Sequence, residues 1–90
     1  MDSKGNINIL RQEIDDLDDQ ILDLLVKRFS VSKEIGDIKA ANEFEIGDSN
    51  RERAIIDRLS KKLKGKLNNN DIAAIFSPIY QISKKIQKRD

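Results

Sequence analysis

Arg28 stands where the spacing asks for an aliphatic side chain. Alternating steps of four and three from Leu10 meet Leu10, Ile14, Leu17, Ile21, Leu24, Arg28, Val31, Ile35 and Ile38, an apolar helical seam interrupted once by a permanent cation. Such an arginine can snorkel out of the seam or pair with a carboxylate, and it can equally hold an anionic ligand inside a bundle. Two neighbours bear on the choice. Arg11, Asp18, Leu25, Ser32 and Lys39 share one heptad position beside the seam, so Arg11 and Lys39 border the same stripe as Arg28. Three cations thus edge one hydrophobic surface, which favours the reading in which an anionic ligand binds there.

The remaining polar candidates each have a plain alternative. Ser49, Asn50, Arg51 and Glu52 form a capping box in which Glu52 bonds back to its own helix start, yet Glu52 also lies in line with Ile56, Leu59 and Leu63 and can face inward. Asp48 reads as a cap or turn residue and Arg51 as a solvated one. Ser83 and Gln87 are four apart beside an apolar face, where they could reach one pocket or simply face water. Cysteine and histidine are both absent. Their absence removes thiolate nucleophiles, disulfides, Cys-ligated metals and the commonest general base. No metal or cofactor is expected.

Those side chains need long helices to position them. No stretch alternates as a strand does, and three segments carry helical periodicity, so the chain reads as all-α. The first helix starts near Asn6 or Asn8, either of which can cap, and runs to about Ala41. Gly36 falls inside it; it either admits another backbone or is a tolerated weak point, and the second is the simpler reading. A loop "ANEFEIGD" leads to a second helix, with Glu52, Ile56, Leu59 and Leu63 on one face and Gly65 as its stop. "KLNNND" is turn material, and from Asp71 a third face is made by Ile72, Ile75, Phe76, Ile79, Ile82 and Ile86. Pro78 should kink this helix, unless Ser77 caps a fresh start there.

Residues 1–90 read as a single domain whose 38% hydrophobic content builds only a modest core, which makes a partner chain plausible. The seam supplies a geometric reason for one. Lys39 lies eleven residues beyond Arg28, about 16 Å along a helix, whereas Arg11 lies about 25 Å before it, out of reach of the same small molecule. A second copy running antiparallel and crossing near Ile21 would bring its own Arg11 between Arg28 and Lys39, giving a symmetric dimer with shared sites. A net charge of +1 provides no global field for nucleic acid or an anionic membrane, and "MDSKGNINIL" is too polar for a secretory leader. No apolar run approaches a membrane span, so a cytoplasmic protein is expected.

Taken in order, the motifs resemble the all-helical class of chorismate mutases over almost the whole chain. "LRQEIDDLDDQILDLLVKR" is similar to the family's L-R-x-x-I-D-x-I-D-x-x-L-L-x-L-L-x-x-R, "KEIGDIK" to its I-G-x-x-K and "DSNRER" to its D-x-x-R-E. "IFSPIYQISKKIQ" resembles its I-F-x-x-I followed by a serine and, four residues on, a glutamine. The sequence departs from the pattern at Ser49, where the family often has proline, and at Pro78, upstream of Ser83.

The resemblance implies an intertwined helical homodimer that converts chorismate to prephenate by an intramolecular Claisen rearrangement. It implies that Arg28 and the partner's Arg11 hold the two carboxylates, and that Lys39 contacts a carboxylate and the ether oxygen, to which Gln87 donates from the other side. It further implies that Glu52, with the backbone near Asp48, takes the ring hydroxyl, while Ser83 supports a carboxylate and Arg51 lines the site. Three other readings use the same residues: an isochorismate-pyruvate lyase, a chorismate- or prephenate-sensing module associated with the synthase that opens the shikimate route, and a plain coiled-coil adaptor.

Overall fold

A computed structural model describes residues 3–44 and 49–88. Three helices follow one another, α1 Ser3–Ala41, α2 Ser49–Lys62 and α3 Asn69–Lys88, with no strand among the described residues. The all-α, three-helix expectation with a very long first helix holds. At 39 residues α1 extends about 58 Å, far beyond a typical globular helix. It begins at Ser3, ahead of both asparagines expected to cap it.

The chain divides into two compact units, Met1–Val31 and Ser32–Asp90. The first is the N-terminal part of α1, and its seam is exposed in the single chain: Leu10 is 56% exposed, Ile21 55% and Leu24 64%. Acidic Glu13, Asp15, Asp16, Asp18, Asp19 and Asp23 are exposed in the same stretch.

The second unit holds the core. α2 packs against α3 and buries Ile55, Ile72 and Tyr80, while Ser32 and Ser83 are buried polar residues. Glu52, Ile56 and Leu59 of α2, and Leu63 just past its end, are half-buried as expected, but the deepest residue of α2 is Ile55. It ends as expected: the Lys66 N–H donates to the Leu63 carbonyl at 2.9 Å, and Gly65 takes φ 81°, a conformation that favours glycine. Asn68 then caps α3, its Oδ1 accepting the Asp71 N–H at 2.8 Å.

The isoleucine line of α3 holds in part: Ile72 is fully buried and Phe76, Ile79 and Ile86 are half-buried, but Ile75 and Ile82 are exposed, and Tyr80 and Ser83 join the buried face. The helix continues through Pro78, so Ser77 does not cap a fresh start there. Pro78 and Ala74 are both exposed, so the carbonyl that loses its N–H partner is on the solvent side, where water can satisfy it.

Candidate active site

Gly36 and Gln87 approach closely in the second unit. Gly36 is buried on α1, and a Cβ built on it would lie 2.6 Å from the Gln87 Cα and 2.6 Å from the Gln87 carbonyl oxygen. No side chain fits there, so the last turn of α3 rests directly on the α1 backbone. The reading of Gly36 as a tolerated weak point is thereby overturned in favour of backbone contact. Helical periodicity puts Ser32 one turn before Gly36 and Lys39 one turn after it on that face of α1. Ser32 is buried and Lys39 half-buried.

On α3 the same spacing aligns Ser83, 3% exposed, with Gln87 one turn further on. Gln87 is half-buried, but its side-chain Oε1 is fully buried and meets no hydrogen-bond partner among the described residues. An unsatisfied buried carbonyl costs about 1–3 kcal/mol, which is a reason to expect a ligand or partner group to reach it. A half-turn of the amide exchanges acceptor for donor, so the position can present either end. The two polar residues of α3 therefore line the buried side, not the surface.

Lys39 occupies the last turn of α1, and its position is fixed by the helix end. The Phe44 N–H donates to the Lys39 carbonyl at 2.8 Å, the Glu43 N–H to the Ala40 carbonyl at 3.3 Å, and the Asn42 side-chain amide to the Ile38 carbonyl at 2.8 Å. Glu52 is half-buried in the first turn of α2, and Arg51 beside it is exposed. In the first unit, Arg28 is half-buried and Arg11 exposed. Asp48 lies outside the described residues. Sequence reasoning set aside Gly36 as the surface that seats α3; a glycine inside an otherwise helical pattern, four residues after the small Ser32, was the available signal.

The sequence matches the family described as chorismate mutase type II over residues 10–88. This chain belongs to that family. It is 33% identical over 81 residues to a chorismate mutase of Methanocaldococcus jannaschii, covering 89% of this chain and 82% of the relative. It is also 33% identical over 90 residues to a bifunctional chorismate mutase/prephenate dehydratase of Buchnera aphidicola, spanning 99% of this chain but 23% of that longer protein. Among solved structures, a Helicobacter pylori chorismate mutase in complex with prephenate superposes with a TM-score of 0.85 at 34% identity, covering 93% of this chain and 91% of that one. Among the described residues no helix is long and apolar enough to cross a membrane, and no cluster of His, Cys, Asp and Glu could hold a metal ion.

Proposed function

We propose that this chain is a chorismate mutase that rearranges chorismate to prephenate in a single pericyclic step, supplying the route to phenylalanine and tyrosine. The observation that carries the reading is the match of nearly the whole fold to a mutase solved with prephenate. The reaction breaks the ether carbon–oxygen bond as a carbon–carbon bond forms within one cyclic flow of electrons, so it requires neither a nucleophile nor a metal. The protein's task is to hold a flexible dianion in its compact reactive conformation and to stabilise charge growing on the ether oxygen.

In this reading Arg28 and Lys39 hold the substrate with Arg11 of a second copy, and Lys39 and Gln87 flank the ether oxygen. The burial of the Gln87 side-chain amide supports that role: Oε1 is buried and unpartnered, and a half-turn of the amide places the Nε2 donor there, where a dry setting strengthens its bond as the ether oxygen gains charge. Glu52 takes the ring hydroxyl, with the backbone near Asp48; Ser83 supports a carboxylate and Arg51 lines the rim.

The working unit is an intertwined antiparallel homodimer. The exposed α1 seam supports it, as an apolar stripe of this length is normally covered. The acidic N-terminal half of α1 also complements the exposed lysines Lys61, Lys62 and Lys85 of the second unit. Such a dimer acts in the cytoplasm as a single catalytic domain, and association with a shikimate-pathway synthase is the further partnership to test by copurification. Incubating the purified chain with chorismate, and separately with isochorismate, tests the function. Prephenate from chorismate is expected; salicylate with pyruvate from isochorismate alone would reverse the conclusion.

A further inference from the structure

We infer that Gly36 is a positioning residue for catalysis: its missing side chain lets the Gln87 backbone lie on α1, and this sets where the Gln87 amide sits. The inference rests on the chorismate mutase reading for its catalytic consequence, while the packing relation stands on geometry alone. A Cβ at position 36 would meet the Gln87 Cα and carbonyl oxygen at 2.6 Å and its carbonyl carbon at 3.0 Å. All three atoms are backbone, so no rotamer change can relieve the overlap. Carbon atoms settle at about 3.5–4.0 Å, so the end of α3 must withdraw by about 1 Å to admit a methyl group.

Glycine within a helix is otherwise unfavourable relative to alanine, and Gly36 is buried and helical. Its presence is therefore explained by the close approach rather than by helix formation. Ser32 one turn earlier is also small and buried. The overlap falls on the backbone of Gln87 itself, so of the proposed site residues of α3 this is the one displaced most directly. Its side chain carries the buried, unpartnered Oε1, so a displacement of the backbone moves a polar group already withdrawn from water. A misplacement of about 1 Å in a reacting geometry can cost about 100-fold in rate.

The test measures kcat and KM for chorismate in the wild type, Gly36→Ala, Gln87→Ala and the double variant, together with thermal midpoints. It adds nitrogen-15 relaxation of the Gln87 side-chain amide, with exposed Gln81 as the internal reference. Gly36→Ala should lower kcat about 10- to 100-fold with KM changed less than about threefold. In the Gln87→Ala background the same alanine should change kcat less than about twofold, although the backbone overlap, and so the drop in thermal midpoint, persists in both.

Retained kcat in Gly36→Ala, or an equal loss in both backgrounds, would overturn the inference, the latter by showing a purely structural role. In wild type the Gln87 amide should be clearly more ordered than that of Gln81; equal mobility would also overturn it. The relaxation measurement needs neither a folded variant nor turnover. A chain inactive on chorismate would refute the proposed function while the relaxation still decides whether Gln87 is held.

Discussion

The Phe44 N–H donates to the Lys39 carbonyl at 2.8 Å across a residue, Glu43, whose φ is 58°. With the Glu43 N–H on the Ala40 carbonyl, this forms a Schellman closure of α1, and the closure holds the turn that carries Lys39. The left-handed position usually belongs to glycine, because a side chain there crowds the following carbonyl at a cost of roughly 1–2 kcal/mol. Glu43→Gly removes that crowding but gives the unfolded chain more freedom. A net stabilisation of about 0.5–1 kcal/mol is expected, read as a thermal midpoint raised by a few degrees with kcat unchanged.

Arg28 and Lys39 are both half-buried, and neither belongs to the buried core formed by Ile55, Ile72 and Tyr80. Their removal should therefore spare the fold. Arg28→Ala and Lys39→Ala are expected to keep the far-ultraviolet circular dichroism of the wild type while kcat/KM falls at least about 100-fold each. Nearly full activity in either variant would remove that residue from the site. An Arg28→Ala protein that gained stability with no effect on chorismate turnover would point to a plain coiled coil.

How much of this was legible in the sequence depends on what carried the burial. The α1 seam was legible because large aliphatic residues repeat at alternating threes and fours, a signal that survives whether or not the partner surface is known. The phase of α3 was legible in part. Ile72, Phe76, Ile79 and Ile86 are buried or half-buried as their spacing implied, but Ile75 and Ile82 are exposed. Gly36 is buried because a backbone approaches closely there, and a small residue leaves no mark on a hydrophobic pattern. Of the two readings of Pro78, the restart is excluded, because one helix runs through it. For the site, sequence spacing selected residue types and the order of motifs, but only coordinates reveal that Gln87 rests against Gly36.

The amide of Gln87 can donate at any pH, and a carboxyl in its place cannot. Gln87→Glu should donate to the ether oxygen only when protonated; ionised, it would accept only and repel the charge that develops there. A free glutamate titrates near about 4.3, and burial where Oε1 now sits would raise that value by disfavouring the anion. The variant should therefore be most active in acid and lose kcat as pH rises through the shifted value. The wild type, measured alongside from pH 5 to 8, should lack this decline. A flat profile in the variant would show that position 87 does not donate to the reacting oxygen.

Sharing of sites between two chains makes a prediction that no single-chain site can satisfy. Arg11→Ala and Arg28→Ala proteins should each be nearly inactive, because every homodimer site lacks one guanidinium. After the two are mixed, unfolded and refolded together, half the dimers are mixed, and each of those has one site with Arg28 from one chain and Arg11 from the other. The mixture should recover about a quarter of wild-type activity, as expected from random pairing with two sites per symmetric dimer. No recovery would place Arg11 outside the site or within its own chain's. As an independent check, Leu17→Glu puts a charge on the exposed seam and should yield a monomer by sedimentation. If that monomer turned over chorismate at the wild-type rate, the shared-site arrangement would be wrong.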